Sequence, residues 1–406
     1  MYIKIYIILD KLYEYYDNIA RNTGASFFRF LLDKIDWNQR MLAIKGPRGS
    51  GKTTLMMQYI KYRLKKPREQ VLYITADHYW FYNHNLVETA DQFYKFGGRY
   101  LFIDEVHKYP NWSRELKNIY DGYPDLRVVF SSSPALHIYS GEADLSRRVI
   151  TYELPGLSFR EFLGLQGRGH FDCLAWNDLV RHPYDCIAEV TAKLRPLAAF
   201  QEYLRYGYLP VITENKPEDT PWRLAQVINA VLESDLATVE NYSQAATFKI
   251  KKLLGVLAEV VPFKPNISAL ARKLEVNRDA VYEWFSHLEN ARLLNLLTAD
   301  EKMGAVLQKP DKVYFENTNL AYALKENPDK GDLRETFLLG QLINAGHQVS
   351  LPQQGDFLTE DTIIAIRERK KTGRQAREAD HYLIAVDDVE TAYGRKVPLW
   401  LFGFLY

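Results

Sequence analysis

At 406 residues the chain is long enough for two or three domains of roughly 150 residues each. Hydrophobic residues make up 47% and charged residues 25%, so packed cores are expected and wholesale disorder is excluded. Lys and Arg number 52 against 51 Asp and Glu, and the net charge of +1 excludes a broad basic nucleic-acid surface, though not a local one. Two cysteines, Cys173 and Cys186, cannot build a metal-rich module or a disulfide scaffold, and suit a reducing compartment. The early apolar run Ile5 to Leu9 falls far short of the ~20 residues of a membrane span. Asp10 and Lys11 follow it and no small-residue cleavage site does, so a cytoplasmic protein with no membrane partner is expected.

Residues 1–38 read as a partly amphipathic helical segment. Met41 to Lys45 predicts a short strand that runs into a glycine-rich loop and a helix from Lys52 to Arg63. Val71 to Thr75 predicts a second strand, and Leu86 to Phe96 a helix stopped by Gly97 and Gly98. Tyr100 to Ile103, Arg127 to Phe130 and Arg148 to Leu154 are further strands, with a helix from Trp112 to Tyr120 between the first two. Strands alternating with helices at this spacing predict an α/β fold with a mostly parallel sheet covered on both faces. Pro155 and Gly156 mark a boundary, after which residues 156–245 read as a helical region.

Residues 246–305 read as a winged-helix-like domain. Ile267, Leu270, Ala271 and Leu274 recur at helical spacing, and Asn277 caps a second helix carrying Val281, Trp284, Phe285 and Leu288. That helix bears Arg278 but also Asp279, Glu283 and Glu289, which favours protein interaction or domain packing over a phosphate-lined groove. Residues 306–406 read as a small C-terminal α/β domain, with strands at Lys312 to Phe315, Thr362 to Ile366 and Tyr382 to Val386.

The sharpest signal is GPRGSGKTT, comprising Gly46, Pro47, Arg48, Gly49, Ser50, Gly51, Lys52, Thr53 and Thr54. Its glycines let consecutive backbone N–H groups turn toward one centre, and this nest and the following helix N-terminus bind anionic oxygens. Lys52 can reach the β- and γ-phosphates of ATP, and Thr53 can offer a hydroxyl to Mg²⁺. The second signal is YLFIDEVH, Tyr100 to His107, an apolar strand ending in two carboxylates. Asp104 suits Mg²⁺, and Glu105 can polarise a water. The pair favours hydrolysis of ATP to ADP and phosphate over phosphotransfer. Ser131, at the end of the strand Arg127 to Phe130, can sense the γ-phosphate, and Arg147 or Arg148 can neutralise charge on it, in cis or from a neighbouring subunit. His78, His84, His107 and His137 lack metal-ligand spacing and read as ordinary surface or packing histidines.

With these motifs the chain resembles the bacterial and archaeal AAA-type P-loop ATPases whose C-terminal part is the domain of unknown function numbered 4143. AIKGPRGSGKTT, YLFIDEVHKYPNW, RVVFSSSPALHI, RRVITYELPGLSFREFLGL, YLRYGYLP, KVYFENTNL, LRETFLLGQL, GDFLTED and PLWLFGFLY carry the resemblance, and the segment Leu154 to Phe162 narrows it. It implies a P-loop, AAA-like core over residues 39–155, with Lys52 and Thr53 at the nucleotide and Mg²⁺, Asp104 at the metal, Glu105 as base, Ser131 as polar sensor and Arg148 as the matching arginine. It also implies a restriction-endonuclease-like fold for the C-terminal domain. A working nuclease of that kind needs acids on the strand where Ala365 and Arg367 stand, with Glu368 off register, so DNA cleavage is not expected despite Arg334, Glu335 and Asp356. Arg367, Arg369, Lys370, Lys371, Arg374 and Arg377 form a basic cluster, either a solvated face or an anion-binding one.

The function these residues predict is Mg²⁺-dependent ATP binding and hydrolysis, coupled to a conformational change that acts on an unidentified protein or nucleic-acid partner. The alternatives are a nucleotide-dependent DNA- or protein-binding module with little turnover, and a DNA-processing enzyme. A homo-oligomer is left open.

Overall fold

The computed structural model describes residues 2–134, 145, 147–213, 219–236, 242–299, 310–368 and 382–406. They form two units, Met1–Pro155 and Gly156–Tyr406. Among the described residues no helix is long and apolar enough to cross a membrane.

The first unit is built on a five-stranded sheet: β1 (Met41–Lys45), β2 (Val71–Thr75), β3 (Tyr100–Asp104), β4 (Arg127–Ser132) and β5 (Ile150–Glu153). The order across the sheet is β2-β3-β4-β1-β5, and every pairing is parallel. Parallel strands are covered on both faces, which is why β1 and β2 are buried at every position instead of alternating. Among the helices that cover it are α1 (Tyr2–Asn22), α2 (Lys52–Gln58), α3 (Leu86–Lys95) and α4 (Trp112–Gly122).

Side chains of a strand alternate between faces, and register decides what each face collects. Leu42, Ile44, Tyr73, Phe102 and Val129 point to one face, where they share a core with Leu55, Met56 and Met57. Fully burying side chains of this size contributes about 1.5–3 kcal/mol each. On the opposite face Trp112 lies 5.9 Å from Phe130. Asp104 follows Phe102, and Ser131 follows Val129, at a spacing of two. Both polar side chains therefore turn to the α2 face. The glycine-rich loop leaves β1 at the same end, since Ile44 pairs with Ser131 and Ile103 with Phe130.

The helix predicted over Lys52 to Arg63 is α2 followed by a wider π-helical stretch, Tyr59–Leu64. Trp37 stacks on Tyr59 at 3.8 Å between ring centroids.

The second unit has its own core. Phe159, Phe162, Phe200 and Tyr203 pack with Phe337, Phe357, Trp400 and Phe404, so Phe159–Leu165 and Pro196–Tyr206 share one interior with Lys330–Asn344 and the last strands. Those strands are β8 (Phe357–Thr359), β9 (Thr362–Glu368), β10 (Tyr382–Asp387) and β11 (Lys396–Pro398), in the order β11-β10-β9-β8, with β8 antiparallel to β9 and the rest parallel. Before them, helices Ile267–Leu274 and Arg278–Asn290 are capped by Asn266 and Asn277 and lead into an antiparallel pair, β6 (Leu294–Leu297) and β7 (Lys312–Phe315). Residue 245, the end of the helical region expected from the sequence, lies in the first turn of helix Gln244–Val260, and residue 305 lies outside the described residues.

The LPGLSFREF segment earns its place locally. Ser158 and Glu161 form a capping box on Phe159–Leu165, and the Ser158 hydroxyl and the Arg160 Nε both donate to the Tyr406 carbonyl.

Candidate functional site

The loop from β1 to α2 turns through Gly49 and Gly51, both at positive φ (83° and 93°), a conformation that costs a side chain-bearing residue. Gly46 is fixed by proximity: a Cβ there would lie 2.3 Å from the Leu154 carbonyl oxygen. Lys52 is buried and folds back over the loop, its Nζ donating to the carbonyls of Gly46 (2.8 Å) and Pro47 (3.3 Å). Ser50 is fully buried, and its Oγ has no hydrogen-bond partner among the described residues. Arg48 and Thr54 are exposed.

The loop is braced from behind. Arg29 is buried and donates from one guanidinium nitrogen to the Ser50 carbonyl (2.5 Å) and from the other to the Pro155 carbonyl (2.8 Å). Gln58 on α2 donates to the carbonyls of Gly24 and Phe27, which straps the segment before β1 to the same helix.

Asp104 meets this loop directly. Its Oδ2 accepts from Thr53 Oγ1 at 2.5 Å and from Tyr73 Oη at 2.7 Å. Its Oδ1 accepts from Ser131 Oγ and from the Glu105 backbone N–H (3.1 Å). Burial first, and then the Asp104 charge, raise the Tyr73 pKa well above that of an ordinary phenol, so this hydroxyl stays a donor. The loop and the carboxylate thus share one edge of the sheet, with two hard oxygen ligands side by side.

Glu105 follows at φ 54°. A left-handed conformation of a non-glycine residue costs about 1–2 kcal/mol and is held here by its neighbours. Its N–H donates to Ser131 Oγ (3.0 Å) as well as to Asp104. Its Oε2 lies 3.5 Å from His107 Nε2 and 3.8 Å from Lys108 Nζ. Lys108 is shared with Asp77 (2.9 Å). Burial alone would raise the Asp77 pKa, but hydrogen bonds from Thr75 and Lys108 outweigh it and the net shift is downward, keeping Asp77 charged.

Of the residues singled out in the sequence, the glycine-rich loop, Lys52, Thr53, Asp104, Glu105 and Ser131 come together. Arg148 does not join them. Ile150 pairs with Leu42, four strand residues or roughly 13 Å back from Gly46, and Arg148 precedes Ile150, so it stands toward the opposite end of the sheet from Gly46. Its guanidinium makes a two-pronged ion pair with Asp121 (3.0 and 3.1 Å) at the end of α4, and Arg147 is exposed.

His107 is buried, as a packing histidine is, and its Nε2 lies 3.5 Å from Glu105 Oε2. His78 caps the turn Tyr79–Tyr82 by accepting from the Trp80 N–H, and His84 stacks on Trp80. His137 lies outside the described residues. Tyr73 and Arg29 drew no attention in the sequence.

Do ATP and Mg²⁺ fit these residues? The buried, unpartnered Ser50 Oγ, the nest formed by Gly49 and Gly51, and Lys52 suit phosphate oxygens. The adjacent Thr53 hydroxyl and Asp104 carboxylate suit a hard divalent cation that keeps several of its waters. No group of three or more His, Cys, Asp or Glu side chains that could hold a metal by itself occurs among the described residues.

The C-terminal acids have other partners. Asp356 accepts from the Ile366 N–H and from Arg367. Asp387 and Glu368 flank Arg334, and Glu335 pairs with Lys312. Ala365 is buried, and residues 369–381, which hold Arg369, Lys370, Lys371, Arg374 and Arg377, lie outside the described residues.

Residues 38–163 match the family model described as an AAA domain. The first unit has a P-loop, AAA-like fold, with its parallel sheet flanked by helices. Residues 197–331 match a second model, a domain of unknown function designated DUF8612. This corrects the resemblance to the domain numbered 4143 and removes the ground for a restriction-endonuclease-like fold. The C-terminal acids are spent in the internal pairs just described.

An uncharacterized protein of Methanocaldococcus jannaschii is 25% identical over 288 residues, which is 68% of this chain and 60% of that protein. The chain thus matches about 60% of its curated relative's length. Among solved structures, C. elegans PCH-2 aligns at 17% identity over 38% of this chain and 44% of its own, with a TM-score of 0.25. A structure described as the basis for katanin self-assembly aligns at 17% identity over 47% of this chain and 69% of its own, also with a TM-score of 0.25.

Proposed function

We propose that the AAA-like unit binds ATP with Mg²⁺ and hydrolyses it, and that the second unit reads the nucleotide state and acts on a protein or nucleic-acid partner. The observation that carries the reading is the 2.5 Å contact between Thr53 Oγ1 and Asp104 Oδ2, which brings the end of the phosphate loop to the end of β3. Mg²⁺ held there would draw charge from the phosphate oxygens as the bond to the leaving group breaks.

The chain's own residues supply the rest. Backbone N–H groups of Gly49 to Thr53 hold the phosphate oxygens, and Lys52 adds a positive charge. Glu105 orients a water and takes its proton as the water oxygen bonds to the γ-phosphorus. The bond from that phosphorus to the β–γ bridging oxygen breaks, and ADP and phosphate leave. Ser131 holds both Asp104 and the Glu105 backbone, so it ties the metal residue to the base. Arg148, at the far end of the sheet, can serve only the nucleotide of a neighbouring copy.

ATP turnover and binding of a fluorescent ATP analogue test this together. Lys52→Ala should lose binding. Glu105→Gln should keep binding within about threefold while turnover falls at least 100-fold, the size expected when a general base is removed. Unchanged turnover in Glu105→Gln would sink the proposal.

A further inference from the structure

We infer that His107 is the positioning residue that holds Glu105 in its working orientation and couples it to the end of β4; the inference rests on the hydrolytic reading above. The Ser133 backbone N–H donates to His107 Nδ1 at 3.3 Å. That nitrogen is therefore the acceptor, and in the neutral ring the proton sits on Nε2. Nε2 lies 3.5 Å from Glu105 Oε2. Contacts of this kind are often long without substrate and tighten in the reacting complex.

The His107 side chain is 3% exposed, so its ring cannot swing into solvent and its orientation is fixed by packing. Glu105, by contrast, is 27% exposed and attached to a strained left-handed backbone, and needs a partner to define its rotamer. His107 and Lys108 both approach Oε2. Oε1 makes no hydrogen bond or ion pair among the described residues and is the oxygen left to face a water.

The chain of contacts has a direction. Ser131 and Ser133 lie on one short segment. Ser131 touches Asp104 and the Glu105 N–H, while Ser133 reaches the Glu105 side chain through the His107 ring. A shift of that segment moves the backbone and the carboxylate of Glu105 together. Lys108 cannot do the same, because it is shared with Asp77 on the β2 side.

Asparagine and glutamine separate this role from packing. The Gln amide nitrogen can occupy the place of Nε2 and offer Glu105 the same N–H. The Asn amide reaches only to the place of Nδ1. In His107→Asn we expect kcat to fall roughly 10- to 100-fold, the cost of a misplaced reacting group. KM and analogue binding should stay within about threefold. His107→Gln should recover most of kcat, and His107→Asn should add nothing in a Glu105→Gln background. Equal kcat in wild type and His107→Asn, or equal losses in Asn and Gln variants, would overturn the inference. So would ¹⁵N shifts of the wild-type ring showing the proton on Nδ1, a measurement that needs no variant to fold. Absence of Glu105-dependent turnover in the wild-type protein overturns the hydrolytic reading itself, and is told apart by that variant alone.

Discussion

The Tyr73 hydroxyl donates to Asp104 Oδ2 at 2.7 Å from the middle of a buried strand. It shares that oxygen with Thr53, so the carboxylate between the phosphate loop and β3 is aimed from both sides. Tyr15 of α1 stacks on the Tyr73 ring with centroids 6.4 Å apart and helps cover it. Tyr73→Phe keeps the ring and removes the bond. Hydrogen bonds to charged groups are worth about 1.5–3 kcal/mol. Asp104 retains three other donors, so the loss should be at the lower end, seen as a reduced unfolding midpoint of the first unit. The Mg²⁺ concentration for half-maximal turnover should rise, with analogue binding nearly unchanged. An unaltered Mg²⁺ dependence would mean that the other donors aim Asp104 sufficiently.

Arg29 donates to the Ser50 carbonyl inside the glycine-rich loop. Arg29→Met preserves the aliphatic stem and leaves that carbonyl and the Pro155 carbonyl without the guanidinium. The loop should lose its preorganisation, and the ordering cost then appears in binding. A tenfold weaker analogue affinity, about 1.4 kcal/mol, is the expected size, with kcat at saturation much less affected. Parallel falls in kcat and affinity would point instead to a general collapse of the unit.

These two residues also show what the sequence could and could not reveal. The phosphate loop, the Asp-Glu pair and Ser131 are local patterns, each readable from a strand end and the residues beside it. Tyr73 looks like another core aromatic until the register is known: only the pairing of Thr75 with Asp104 puts it on the same face, two residues back. Arg29 bonds to carbonyls 21 and 126 positions away, a separation no local pattern encodes. For Arg148 the sequence left open whether it serves its own site or a neighbour's. Its place before a strand was legible, but in a parallel sheet the start of β5 lies at the end away from the phosphate loop. In the second unit, strands β9 and β10 were visible as apolar runs, whereas β8 and β11, of three residues each, were too short to signal themselves.

Gly46 gives a purely steric test. An added Cβ would lie 2.3 Å from the Leu154 oxygen and 2.9 Å from Ser50 Oγ. The first of these atoms is backbone of the chain leaving β5 and cannot rotate away. Gly46→Ala must push β1 and the β5 end apart, and overpacking of this kind costs about 1–3 kcal/mol. Because the displaced atoms frame the loop, analogue affinity should fall with stability. By comparison Gly97→Ala, where nothing lies within 4 Å, should cost stability through its φ of +92° but leave analogue affinity alone. Equal affinity in both variants would show that the approach of Leu154 does not shape the loop.

Asp332 supplies a pH-dependent test in the second unit. Burial, then the charges of Asp329 and Glu335, push its pKa up to about 6, against the pull of Lys325 and Lys312. Its ordinary value is 3.8. The folded state therefore binds the Asp332 proton more tightly than the unfolded state does, and stability falls as pH rises between these values. The contribution is fully present below the unfolded value and is gone above about pH 6. Asp332→Asn cannot ionise, so it should raise the thermal midpoint at pH 7 by on the order of 2 °C, with little change at pH 4. The helix Lys330–Asn344 keeps its Asp329 cap in the variant, which guards the comparison against loss of the helix start. A midpoint shift of the same size at both pH values would show that the Asp332 charge is not penalised in the fold.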